Sequence, residues 1–209
     1  MGFLGIFDIF RRPSPIRDAA ELADFIDRNA AFTAQKGIYE YCRARAGHYA
    51  KVLFREPDFI AAADNSRWRA YPLGLAMVGE LVEGVLCPTD SERRRVQGDA
   101  INALVLAVFD RHPVPAPLDP EVWSELRAEL VRRLQLVGLH PPKWAKDIPE
   151  PLADVYFNLM PIHEKLRARD APALRNYLRV TMINVHDDLT KRLDVPAVVE
   201  SLRAGHSLP

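Results

Sequence analysis

Glu80 and Glu83 interrupt an otherwise apolar stretch over residues 73–86. Two carboxylates in such surroundings do chemistry only if they face inward, where desolvation raises a carboxylate pKa unless a cation such as Arg67 or Arg69 neutralises it. Facing water, they only solubilise. Their stripe also holds Leu73, Ala76 and Met77, so both orientations stay open, and residues 73–86 read as the central helix. Gly74, Gly79 and Gly84 would let neighbouring elements approach it closely. No Glu-x-x-His follows, so a carboxylate di-iron centre is not expected. His163 shares an apolar stripe with Leu152, Tyr156, Leu159 and Leu166, beside Pro161, which must kink or split that helix. An inward histidine there would bond the carbonyl freed opposite the proline. The segment Trp68-Arg69-Ala70-Tyr71 follows the loop-like Asp64-Asn65-Ser66 and precedes Pro72; it reads first as core and second as a binding rim. Trp68, Arg69, Glu80, Glu83 and His163 are thus the candidate lining of a ligand pocket.

The string His186-Asp187-Asp188 resembles, over two residues, the metal-site core of the helical HD phosphohydrolases. That resemblance implies a further histidine upstream and a further aspartate well downstream, for which His163 and Asp194 are the candidates. The helical spacing points elsewhere. Leu178, Met182, Val185 and Leu189 define the buried face, Asp187 falls off it, and Asp187 with Lys191 and Asp188 with Arg192 stand acid before base one turn apart, as on a solvated surface. His48, His112, His140 and His206 share no helical face, so histidine metal ligation is not expected. Nucleophile elbows and phosphate-cradling glycine loops are both missing. No catalytic residue, metal or cofactor is assigned.

The elements that must position these residues are helical throughout, because caps, prolines and 3.6-residue apolar spacing recur while period-2 alternation does not. The clearest helix opens at Asp119-Pro120 and stops at Gly138, with Val122, Leu126, Leu130, Leu134 and Val137 as its ridge and Glu129 one turn ahead of Arg133 on its wet side. Thr89 and Glu92 have capping-box spacing and open a helix that ends near Arg111. Asp170 with Pro172 opens a helix carrying Leu174, Leu178, Met182, Val185, Leu189 and Leu193; Asp194 with Pro196 opens a short closing helix ended by Gly205. Residues 18–55 read as two or three helices punctuated by Asn29, Gly37 and Gly47. Two proline-rich connections, 112–117 and 140–151, join the later helices, and Trp144 is expected to pin the second onto the core. The whole is an all-α chain: one irregular bundle of about eight helices over residues 14–209, preceded by a short amphipathic segment, residues 1–13.

Composition limits the function classes. With 48% hydrophobic and 27% charged residues the chain has ordinary globular composition, which excludes disorder over most of its length. Its 28 basic and 28 acidic residues cancel, so no net field draws it to nucleic acid. The local basic clusters, Arg93-Arg94-Arg95 and Arg43, Arg45, Lys51 and Arg55, read as solvated helix faces. Cys42 and Cys87 form no disulfide framework and no Cys-x-x-Cys pair, which favours a reducing compartment. The opening apolar stretch lacks the basic flank and cleavage site of a signal peptide. A cytoplasmic location follows, with peripheral attachment to the inner membrane as an extension of it.

That extension rests on residues 1–12. As a helix they place Phe3, Ile6, Phe7 and Phe10 on one stripe with Asp8 opposite; Leu4 and Ile9 add apolar surface, and Arg11 and Arg12 close the segment before Pro13-Ser14-Pro15. Six large apolar side chains at ~1.5–3 kcal/mol each sum to ~9–18 kcal/mol if fully buried, well reduced by partial insertion and ordering. The two arginines add about 1 kcal/mol each beside an anionic leaflet. The same stripe could instead fold back onto the bundle. The reading preferred from sequence is a non-catalytic helical accessory or assembly protein, docked on a protein partner or the cytoplasmic leaflet through Phe3, Leu4, Ile6, Phe7, Ile9, Phe10, Arg11 and Arg12. The alternative is a helical enzyme or small-ligand binder with its pocket beside residues 73–86. Oligomeric state is open.

Overall fold

The computed structural model describes residues 14–87 and 91–206, without the side chains of 91–96 and 205–206. Residues 1–13, and with them the expected amphipathic segment, lie outside the described residues, as does Thr89 of the expected capping box. Among the described residues the chain is all-α, and its helices pack around one hydrophobic core.

The first helix, α1 (Ala19–Ala46), begins where Asp18 caps the Glu21 N–H at 2.8 Å and the Glu21 carboxylate reaches back to accept from the Arg17 N–H at 2.7 Å. It ends at Gly47, whose φ of 53° only glycine adopts freely. Residues 18–55 were expected to break at Asn29 and Gly37, and they do not. Asn29 donates its side-chain amide to the Phe25 carbonyl, and the Thr33 hydroxyl donates to the Asn29 carbonyl, so both polar side chains are satisfied along the helix instead of ending it. Gly37 stays helical because the space of its missing side chain is filled from outside: a Cβ there would sit 2.2 Å from the Tyr156 hydroxyl oxygen. After a 3-10 turn (Gly47–Tyr49) comes the single-turn α2 (Ala50–Leu53).

The second long helix, α3 (Pro57–Leu86), has proline at its first turn and runs through both Asp64-Asn65-Ser66 and Pro72. The loop expected at 64–66 is helical because Ser66 donates to the Ala62 carbonyl, Arg67 bonds Asp64 and Arg69 bonds Asn65, all within the helix, while Asn65 also reaches the Pro117 carbonyl. Pro72 removes one backbone donor, yet every residue from 70 to 79 is buried, and that packing holds the helix together across the defect. Gly74 lets α1 and α3 cross at very close range; a Cβ there would lie 2.6 Å from the Ala30 carbonyl oxygen.

Around this pair pack α4 (Ser91–Asp110), α5 (Pro120–Val137), α8 (Ala171–Arg192) and α9 (Val195–His206). The α5 and α8 boundaries follow the expected capping and proline positions, and Leu174, Leu178, Met182, Val185 and Leu189 are buried as the spacing requires. Between α5 and α8 the chain makes a 3-10 turn (Ala145–Asp147), α6 (Ala153–Asn158) and α7 (Glu164–Arg167), with Pro161 in the break between the last two. The start of the described residues is riveted to the junction of the last two helices. Ile16, only 1% exposed, donates its N–H to the Arg192 carbonyl and accepts from the Asp194 N–H, a single parallel bridge to the α8–α9 junction.

Candidate functional site

The middle and C-terminal half of α3 carry the residues singled out for chemistry, and the structure sorts them into separate places. The Trp68 ring meets Tyr71, His112 and Trp123 edge-on at 5.7–6.0 Å, and Trp123 stacks on Phe109 at 4.2 Å. The Tyr71 hydroxyl donates to Asp27 Oδ1 at 2.7 Å, and His112 Nε2 lies 3.2 Å from the same oxygen. Burial first, and then the Asp27 bond, hold the Tyr71 phenol well above its usual range, so it remains a donor. This cluster fastens the proline-rich 112–117 connection across α1 and α3. Arg67 lies over the Trp68 ring at 4.7 Å and bonds Asp64, while Arg69 bonds Asn65; neither serves Glu80.

Glu80 and Glu83 diverge. Glu80 is half-buried and accepts from Lys143 Nζ at 2.7 Å, with His140 Nε2 3.9 Å from the same oxygen. Its neutralising cation comes from the 140–151 connection and not from Arg67 or Arg69. Glu83, 2% exposed, turns to α4, where a Cβ on Gly98 would sit 3.7 Å from its carboxyl carbon. The cavity that Glu80 lines, about 240 Å³, includes Arg133, His140 and Lys143 but none of Trp68, Arg69, Glu83 or His163.

His163 does not face inward. It is exposed and caps α7, its Nδ1 accepting from the Lys165 N–H at 3.3 Å, because the break at Pro161 releases it from the stripe with Tyr156. Asp188 bonds Arg192 at 2.8 Å as the spacing requires, and Asp187 is exposed with His186 Nδ1 3.6 Å from its carboxylate. Among the described residues no three His, Cys, Asp or Glu side chains gather closely enough to hold a metal ion. Cys42 is buried in the core, and burial pushes its thiol up to about 12.

One constellation was missed from sequence. A cleft of about 500 Å³ opens between the end of α3, the 143–148 segment and α8. Leu81, Val85 and Ile148 form its apolar floor, Ile183 and His186 come from α8, and Lys143, Trp144 and Lys146 stand at its edge. Trp144 was expected to pin its connection to the core. It is instead 78% exposed, and Ile148 and Leu152, at 2% and 6%, do the pinning. Gly84 faces the cleft with nothing nearer to its missing Cβ than the Pro142 ring at 3.7 Å. The available signal was Lys143-Trp144-Ala145-Lys146 itself, an aromatic between two cations in a proline-punctuated connection.

The arrangement can bind: apolar walls, a cationic edge and an uncovered indole offer burial and charge pairing. No candidate nucleophile or paired general acid and base meets there. No helix among the described residues is long and apolar enough to cross a membrane. Comparison of the chain with known protein families, curated proteins and solved structures finds no significant match.

Proposed function

We propose that this chain is a non-catalytic helical interaction protein that docks peripherally on an anionic membrane surface through residues 1–12. The observation that carries the reading is the rivet at Ile16. The bundle closes its own core from that residue onward, with α1, α3 and α8 supplying Phe25, Met77 and Leu178, and residues Ser14 and Pro15 just before it are exposed. A segment holding Phe3, Leu4, Ile6, Phe7, Ile9 and Phe10 ahead of such a closed unit is surplus to the core that the described residues form. Interfacial helices combine this kind of apolar stripe with basic residues at the headgroup level, the part assigned to Arg11 and Arg12.

The test is co-sedimentation with vesicles of phosphatidylserine and phosphatidylcholine, for the full chain and for a chain lacking residues 1–12. The reading requires the full chain to bind and the shortened chain to remain folded in solution without binding. Retained binding by the shortened chain would overturn it. If the full chain ignores vesicles but captures a protein partner through the same residues, the apolar stripe docks in a groove and the membrane assignment fails.

A further inference from the structure

The cleft between α3, the 143–148 segment and α8 stands apart from residues 1–12, and its chemistry specifies an occupant. We propose that it is a binding site for a single-chain amphipathic carboxylate, an aliphatic acid of medium length. The tail is defined by the floor: Leu81 and Ile148 are buried at its base, Val85 lines one side, and Ile183, 40% exposed, leaves its apolar surface to the cleft. The volume of about 500 Å³ lies within the ~300–1,000 Å³ of small-molecule sites. Room for the tail exists because position 84 is glycine. On a helix that packs tightly at Gly74 and Gly79, Gly84 alone of the three meets nothing closer than ordinary contact distance.

The head group is defined by charge. Three basic side chains line the cleft, and no Asp or Glu does. Lys143 is already answered by Glu80 at 2.7 Å. His186 stands 3.6 Å from the exposed Asp187, which lies outside the cleft. Lys146 carries no ion pair or hydrogen bond among the described residues, so one lysine at the edge is left unanswered, and a monoanion balances it. A carboxylate accepts from an ammonium and an imidazole N–H, the two donors that Lys146 and His186 present. Trp144, 78% exposed beside these cations, supplies an aromatic face to the chain atoms next to the head group.

The experiment is a calorimetric titration of the full chain with decanoate below its critical micelle concentration, in parallel with decyltrimethylammonium and with acetate. One decanoate per chain is expected, with the cation and the two-carbon acid each weaker by about tenfold or more, because each lacks one half of the recognition. Gly84→Leu projects a side chain into the cleft from a Cβ that meets nothing nearer than Pro142 at 3.7 Å and improves helix propensity, so it should weaken decanoate by about tenfold or more while the melting temperature does not fall. Lys146→Glu should weaken it about threefold or more. Absence of saturable decanoate binding, equal binding of the cation, or binding undiminished by Gly84→Leu would each overturn the proposal. The last outcome also exposes any uptake by residues 1–12, which Gly84→Leu leaves intact. Failure of vesicle docking has no bearing on any of these readouts.

Discussion

Two regions of this bundle are built from the same ingredients and end differently. In each, a proline-rich connection crosses α3 beside a tryptophan: 112–117 lays His112 against Trp68, and 140–151 sets Trp144 at the edge of a cleft that His186, from α8, also lines. Around Trp68 the Tyr71 hydroxyl and the His112 ring share an acceptor within the cluster. Asp27 takes both the Tyr71 hydroxyl and His112, and the rings of Trp123, Phe109 and Tyr71 fill the space. Around Trp144 the cations outnumber the acids and no ring of the described residues packs on the indole. A tryptophan among charges is a structural clamp where the chain supplies its own acceptor and its own packing. At Trp144 the packing is missing and one lysine is left without an acceptor, which is the opening the proposed carboxylate would fill.

The sharpest way to break this contrast is to remove each indole. Trp123→Ala, at a position 6% exposed, should cost ~3–5 kcal/mol of stability in urea unfolding by opening a cavity beneath Trp68 and Phe109. Trp144→Ala should change stability by less than ~0.5 kcal/mol. Equal losses would mean that the cleft is as much part of the core as the clamp. The glycines of α3 offer a second contrast at smaller cost. Gly74→Ala drives a methyl toward the Ala30 carbonyl and should destabilise by ~1–3 kcal/mol, whereas Gly84→Ala meets only Pro142 at ordinary contact distance and should stabilise by up to ~1 kcal/mol.

Smallest is the effect of acid on the surface joint between α4 and α5, where Arg127 bonds Asp110 through two hydrogen bonds of 2.7 Å. Those bonds, ahead of the Coulombic attraction, hold the Asp110 carboxyl below its usual range. A lowered folded-state pKa means that the pair contributes fully above the unfolded value, about pH 4, and loses its contribution as pH falls through the folded one. Both side chains are more than two-fifths exposed, so solvent screening limits the contribution to below ~1 kcal/mol. Asp110→Asn should therefore lower thermal stability slightly at pH 7 and progressively less as pH falls below about 4 through the folded-state value, a trend that calorimetric melting at descending pH would show.

Helix identity was legible wherever apolar period and capping chemistry agreed, as in α5 and α8. It failed where a polar or helix-breaking residue was rescued by something distant or internal. Asn29 and Ser66 turn back on their own helix, Gly37 is filled by Tyr156 from more than a hundred residues away, and Pro72 sits in a fully buried stretch. None of these partners follows from local sequence. The candidate site was legible only in part for the same reason. Glu80 was read as needing a cation only if it faced inward, with Arg67 or Arg69 as the source; the cation it has, Lys143, arrives through a loop whose path depends on Ile148 and Leu152 docking. His163 was placed on an apolar stripe that spans Pro161, and the split at that proline takes it off the stripe to cap α7.

The central functional claim concerns the apolar stripe of residues 1–12, and it is tested most directly by the vesicle partition coefficient of the full chain carrying Phe3→Asp and Phe7→Asp. Each phenylalanine is worth ~1.5–3 kcal/mol if buried in the interface, and 1.4 kcal/mol is tenfold, so the account predicts a loss of about a hundredfold or more on anionic vesicles. An unchanged partition coefficient would contradict it.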